Sequence, residues 1–177
     1  MRSLTIYAGV FIIDLIDWMV LVTTDSNHPK ECKAVGGMGF GNEPPRKIVI
    51  REAGEEARTQ VLESTLVLVE KSASRYGDHE RYFFLADKLG GVLDKGATWE
   101  VEEKNAMGYV VEKLTTRWVP MKVFADKLFV KQHPAFGAVL AVLVKRNPSL
   151  LNSRNFCELM RRFPEPENTG VESAVVD

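Results

Sequence analysis

The sequence predicts an α/β or α+β chain in which helices cover a mixed sheet. Three observations carry that reading. Stretches rich in β-branched and aromatic residues read as strands, proline-opened helical segments stand apart from them, and 177 residues are enough to bury a real core. Hydrophobic residues make up 45% and charged residues 27%, the balance of an ordinary water-soluble domain. The formal charge of −1 gives no electrostatic footprint for nonspecific nucleic-acid binding. Bulk nucleic acid is therefore disfavoured as a partner, whereas a single nucleotide is not.

Ile6 to Ile13 and Trp18 to Thr23 read as paired strands. The whole of Thr5 to Val22 is apolar enough to raise a leader or a membrane span, but Asp14 and Asp17 interrupt it. A charge near a bilayer centre costs roughly 2.5–3.5 kcal/mol on insertion scales. Two buried strands joined by a turn at Asp14 to Asp17 are expected instead, with no membrane partner. Asp25 to Lys30 is a loop by composition. Glu31 to Val35 is expected to form a short strand leading into Gly36-Gly37-Met38-Gly39-Phe40-Gly41, where four glycines in six residues predict a turn.

A helix is expected over Pro44 to Arg58, with Asn42 as N-cap and two prolines tolerated in the first turn. Gly54 inside it costs about 1 kcal/mol relative to alanine, so close packing against a strand is expected there. Val61 to Glu70 and Glu80 to Ala86 are strand-like, joined by a loop over Lys71 to His79. Gly90 to Gly96 is a turn region. Glu100 to Glu112 is ambiguous, with a strand favoured over Gly108 to Leu114. Pro120 opens a helix from Met121 to Phe129, and Pro134 opens another through Lys145, stopped by Asn147-Pro148.

The expected organisation is a main domain over residues 1–147 and a C-terminal extension over 148–177. The extension holds one short helix within Ser149 to Phe163 and then a polar tail expected to be mobile. Cys32 and Cys157 lie far apart, without a metal-ligand neighbour, which suits a reducing cytoplasm better than a disulfide framework.

The helix at Pro44 to Arg58 carries the chemistry. At the helical step of about 100° per residue, Glu52, Glu55 and Glu56 share one face, while Ala53, Ala57 and Ile50 fall on the other. Like charges three and four residues apart repel. A hard divalent cation offsets that repulsion, because Mg²⁺ prefers carboxylate and water oxygens and commonly works on phosphates. A bare Glu-x-x-Glu-Glu is more often a solvated face, and the flanking residues decide between the two.

Gly37, five residues, Glu43, seven residues, then Arg51-Glu52-Ala53-Gly54-Glu55-Glu56 resembles the Nudix box, G-x5-E-x7-R-E-U-x-E-E-x-G-U with U a bulky aliphatic residue. Gly37, Glu43, Arg51, Glu52, Glu55 and Glu56 all fall at the specified spacing. The departures are Arg58 at the glycine near the end of the box, Thr59 at its last aliphatic, Ala53 at its first, and Val35 at a proline that often precedes the double glycine. They touch helix exit and packing and leave every acid in place. Tyr7-Ala8-Gly9-Val10 looks like the family's first core strand, and Arg117-Trp118-Val119-Pro120 like its segment before the penultimate helix.

The resemblance implies a Nudix-type α/β/α sandwich with a mixed β-sheet. It also implies metal-dependent hydrolysis of a nucleoside diphosphate linked to another moiety: a nucleoside triphosphate, a nucleotide sugar or a dinucleoside polyphosphate. Glu52, Glu55 and Glu56, with the carbonyl of Gly37, would bind Mg²⁺ or Mn²⁺. Arg51 would orient the acids through Glu43 or a box glutamate. The general base would be a box glutamate or Glu112, with Glu100, Glu102 and Glu103 as rivals. Lys33 and Arg81 are candidates for phosphate contact, and Tyr76 resembles a tyrosine of members acting on dinucleoside polyphosphates. Trp99, Phe40 and Tyr82 can stack on a base, although packing is the plainer reading of each. Two other classes compete. One is a Nudix-like module that senses a nucleotide without cutting it, against which the retention of all three acids argues. The other is an assembly protein whose helices after Pro120 form a homodimer face.

Overall fold

The computed structural model describes residues 5–73, 79–87, 89–104 and 106–166. β1 (Thr5–Asp14) and β2 (Met19–Asp25) are the expected N-terminal pair. Asp14 closes the turn between them, its Oδ1 accepting the N–H groups of Ile16 at 2.8 Å and Asp17 at 3.1 Å. β2 pairs only with the far half of β1, with Ile12 opposite Leu21. The near half is taken by β3 (Val35–Met38), with Ala8 opposite Gly37 and Gly9 opposite Gly36. The sheet therefore divides around the start of β1, and the site described below lies in that division.

The remaining elements are α1 (Pro45–Ala57), β4 (Gln60–Val61), β5 (Leu66–Ala73), β6 (His79–Ala86), β7 (Leu89–Gly91), β8 (Thr98–Lys104), β9 (Val110–Pro120), α2 (Met121–Lys127), α3 (His133–Arg146) and α4 (Arg154–Arg162). The main sheet runs β5-β6-β1-β2-β9-β8, with β3 attached to β1. β1 and β6 are parallel and the other named pairs antiparallel, so the sheet is mixed.

Alternation along β1 builds two cores. Ala8, Val10 and Ile12 face α1, where they meet Ile48, Val49, Ala53 and Ala57. Phe11 faces the other way, its ring 5.8 Å from Phe136 of α3 and 6.3 Å from Phe124 of α2. Phe156 of α4 and Phe163 just after it are buried in that second core. Helices on both faces of a mixed sheet make an α/β/α sandwich. Both cysteines are free thiols, and among the described residues no helix is long and apolar enough to cross a membrane.

Several expectations are corrected. Gly36 and Gly37 lie in β3, not in a turn. A side chain on Gly36 would overlap the Ala8 carbonyl, so this glycine serves close strand approach. The turn comes later, at Phe40 to Glu43, with Gly41 at φ 56°. Asn42 does not cap α1; Pro44 occupies that position with extended dihedrals and no side-chain bond. Gly54 is exposed, with nothing within 4 Å of where a Cβ would lie, and nothing in the structure explains it. The ambiguous stretch Glu100 to Glu112 falls across the β8–β9 hairpin, whose outer half stands clear of the core and so carries no apolar period. A 3₁₀ turn at Glu63–Thr65 interrupts the run from Val61 to Glu70, β7 lies within the expected turn at Gly90, and α2 ends at Lys127. Residues 167–177 of the expected tail lie outside the described residues.

Candidate active site

α1 presses its small apolar side onto the sheet, which turns its acids toward β3 and the opening in the sheet. Glu52 and Glu56, one helical turn apart, keep only 7% and 5% of their surface exposed. Glu55 stands at the rim with its side chain 59% exposed. Burial raises the Glu52 carboxyl, against the pull of Arg51. Burial, and next the negative charge of Glu52, push Glu56 up to about 8, while the Gly36 N–H at 3.4 Å favours its ionised form.

Arg51 organises the group. Its Nε and Nη2 donate to the two oxygens of Glu43, each at 3.1 Å. Nη1 donates to Glu52 Oε1 at 2.8 Å and Glu55 Oε2 at 3.2 Å, and Nη2 also reaches the Met38 carbonyl at 3.0 Å. The paired geometry with Glu43 is the fork that a guanidinium offers a carboxylate. It holds Glu43 below the usual carboxylate range. Gly37 leaves room for the Glu52 carboxylate, which a side chain there would overlap.

Gly37, Arg51, Glu52, Glu55 and Glu56 line a cleft of about 580 Å³, with Glu43 behind Arg51 and outside the lining. The β8–β9 hairpin contributes Glu103 and Glu112 from positions directly opposite one another in the ladder. Burial, and then the negative Asp25 and Glu103, raise the Glu112 carboxyl. Of the rivals to Glu112, Glu103 joins it in the cleft, whereas Glu102 binds Lys113 at 3.1 Å and neither Glu100 nor Glu102 lines the cleft. Lys33 also lines it, its ammonium on Asp25. Arg81 lies in an adjoining pocket that shares Tyr7 and Lys33 with the cleft. Tyr76 lies outside the described residues.

Of the aromatic candidates, Phe40 alone lines the cleft; it is 73% exposed, and the Arg51 guanidinium sits 4.5 Å from its ring. Trp99 is engaged elsewhere, donating to the Glu55 carbonyl at 3.1 Å beneath the Arg58 guanidinium. Tyr82 donates to Glu80 at 2.6 Å. Two residues escaped the sequence reading. Asp25 falls at the start of a loop-like run, yet it ends β2 with 2% exposure and carries Lys33 and His28. Burial raises its carboxyl, but Lys33 and His28 more than offset this and leave it lowered. Tyr7 reads as a strand residue, yet its hydroxyl sits among Glu56, Glu52, Arg81 and Gln132; burial chiefly, then the two acids, push it up.

The donor set suits a hard cation in kind, since it offers carboxylate oxygens and a nearby backbone carbonyl. Among the described residues no three Cys, His, Asp or Glu side chains converge closely enough to enclose one ion. The reason is visible in the geometry: Glu52 and Glu55 are both turned onto Arg51, whose guanidinium supplies the compensating positive charge between them. The residues present thus offer the donor types such an ion takes, in an arrangement that Arg51 draws onto itself.

No family model matches the chain, and no curated protein matches it. Solved structures do. A MutT Nudix hydrolase from Burkholderia pseudomallei aligns over 76% of this chain and 96% of its own, with a TM-score of 0.50 and 18% identity. The E. coli ORF135 protein aligns over 82% and 95%, with a TM-score of 0.55 and 14% identity. The fold is thus the Nudix-type α/β/α sandwich with a mixed sheet.

Proposed function

We propose that the chain is a Nudix-type pyrophosphohydrolase that cleaves a nucleoside diphosphate linked to another moiety. One observation carries this: Arg51, anchored on Glu43, gathers Glu52 and Glu55 beside Gly37 and next to a buried Glu56 on the wall of one cleft. Burying like charges in this way costs stability and calls for a cationic ligand. Glu52, Glu55, Glu56 and the Gly37 carbonyl would hold Mg²⁺ or Mn²⁺. The ion, when bound, neutralises the diphosphate and lowers the pKa of an attacking water.

The chain's own residues do the rest. Arg51 fixes the directions of Glu52 and Glu55. Lys33 meets a phosphate oxygen from the opposite wall, and Arg81 meets the substrate where the cleft runs into the adjoining pocket. Glu112 takes the proton of the attacking water, burial and the nearby Asp25 and Glu103 having made it a stronger base than an ordinary carboxylate. Water adds to one phosphorus, the anhydride P–O bond breaks, and the two halves leave as phosphates: a nucleoside monophosphate together with pyrophosphate, a sugar phosphate or a second nucleotide, according to the substrate.

The test is a hydrolysis screen over nucleoside triphosphates, nucleotide sugars and dinucleoside polyphosphates with Mg²⁺ or Mn²⁺ and identified products. Glu55→Gln and Glu56→Gln are expected to lower turnover by roughly two orders of magnitude or more, the scale of lost transition-state electrostatics. Tight nucleotide binding with no product under either metal would favour the sensing module. Equal turnover in the variants and the native chain would remove the acids from the reaction.

A further inference from the structure

The cleft does not end at its acidic wall. Past Tyr7 and Lys33, which line both spaces, it opens into a pocket of about 190 Å³. The two spaces carry opposite charge. The cleft has six carboxylates against three cations, whereas the charged lining of the pocket is entirely cationic: Lys33, Arg81 and Lys131.

Three separate pieces of chain bring these cations together. Arg81 is the ladder partner of Tyr7 on the neighbouring parallel strand. Lys33 stands just before β3, and Lys131 lies in the 3₁₀ turn that leads into α3. Phe129 collects the two ammonium groups, with Lys33 at 5.3 Å and Lys131 at 5.8 Å from its ring centroid. Lys33 is neutralised by Asp25, but among the described residues neither Arg81 nor Lys131 is salt-bridged to a carboxylate. Gln132 completes the wall and is itself buried, its Oε1 accepting the Ala34 N–H at 2.9 Å.

Cations gathered in a small concave space repel one another and concentrate anions. At about 190 Å³ the pocket is smaller than the roughly 300–1,000 Å³ that encloses a drug-sized ligand. It suits a phosphate and the atoms that carry it better than a whole second nucleotide.

We propose that the substrate is a pyrophosphate bearing a further phosphate monoester on one of its halves, and that Arg81 and Lys131, with Lys33, hold this extra group while the anhydride lies against the acids of α1. The inference rests on the hydrolase reading above and narrows its substrate class. The extra phosphate takes no part in the chemistry. It fixes which way round the substrate lies, because the other half meets only the acidic cleft.

The test uses the full chain and matched pairs that differ by one phosphate: coenzyme A and dephospho-coenzyme A, NADP⁺ and NAD⁺, ADP-ribose 2′-phosphate and ADP-ribose. For at least one pair, kcat/KM with Mg²⁺ is expected to favour the phosphorylated member by about tenfold or more. Lys131→Ala, an exposed position that will fold, and Arg81→Ala are each expected to bring that ratio close to one, acting on KM. A second readout needs no turnover. Adenosine 2′,5′-bisphosphate and 3′,5′-bisphosphate are titrated without metal, and at least one should bind about tenfold tighter than 5′-AMP and lose that advantage in both variants. Hydrolysis with no preference in any pair would overturn the inference and leave the hydrolase reading standing. Variant-sensitive bisphosphate binding with no hydrolysis of any pyrophosphate would do the reverse. A bisphosphate advantage that survives both substitutions would also overturn it.

Discussion

Gly37 and the carboxylate of Glu52 occupy adjoining space, such that any side chain at position 37 would overlap the Glu52 oxygens. Gly36, one residue earlier, faces the Ala8 carbonyl and the Gly9 Cα instead. The two glycines therefore separate function from stability. A carboxylate at the end of a flexible side chain can move aside, but a paired strand cannot. Gly37→Ala is expected to cost less than about 1 kcal/mol of stability while lowering turnover at least tenfold. Gly36→Ala is expected to cost roughly 1–3 kcal/mol as β3 is forced from β1. Thermal melts and kcat for both variants check this. A Gly37→Ala enzyme with native turnover would show that Glu52 need not stay where it is.

Arg58 occupies the place where the Nudix box has a glycine, and its φ is 47°. For a residue with a Cβ that conformation costs roughly 1–2 kcal/mol. Its guanidinium lies 3.6 Å from the centre of the Trp99 ring, and Trp99 in turn is tied to the Glu55 carbonyl. Such a contact returns about 0.5–1 kcal/mol at an exposed site. Arg58→Gly removes both terms, so its stability is expected to stay within about 1 kcal/mol of native. Arg58→Ala keeps the strain and loses the contact, and should melt at the lower temperature of the two. The opposite order in a denaturation series would mean that φ 47° at this position costs a residue with a Cβ nothing.

What the sequence could and could not disclose follows from where each signal resides. The α1 acids were legible because a helix maps spacing directly onto a face, and Glu43 and Gly37 stood at set distances from them. The N-terminal strand pair and α3 were legible from β-branched runs and from Pro134. Asp25 was hidden because its burial depends on the β2–β9 pairing, which sets it opposite the distant Leu114, and on Lys33 across an intervening loop. Gly36 and Gly37 were misread because clustered glycines signal turns locally, whereas here they let two strands and a carboxylate approach. Glu112 could be named, but its closeness to Glu103 is a property of hairpin register. The cationic pocket needs three segments to meet, and no local pattern encodes that.

Glu70 in β5 is nine-tenths buried, and its Oε2 finds no hydrogen-bond partner among the described residues. Burial raises its carboxyl, against the opposing pulls of Ser72 and Arg81. A carboxyl raised in the folded state stays protonated there while the unfolded chain has already ionised. Stability is then complete below the ordinary value of 4.5 and falls as pH rises from there through the folded value. Glu70→Met removes the titrating group at similar length. Its gain in Tm over the native chain is expected to be larger at pH 8 than at pH 4. Equal gains at both pH values would mean that ionisation of Glu70 carries no penalty.

Glu103 and Glu112 face each other across the β8–β9 ladder on the same cleft, and the Glu103 charge, after burial and Asp25, opposes the ionisation of Glu112. If Glu112 takes the proton from water, Glu112→Gln should lower kcat by about 10² or more, the usual scale of general-base catalysis, with KM little changed. Glu103→Gln should behave differently. Removing its charge lowers the Glu112 pKa, so the acidic limb of the kcat/KM profile moves to lower pH while the plateau stays within a few-fold of native. The pH profiles of the two variants decide the assignment. A near-native rate in Glu112→Gln together with a collapsed rate in Glu103→Gln would exchange their roles, and near-native rates in both would pass the proton to an acid of α1.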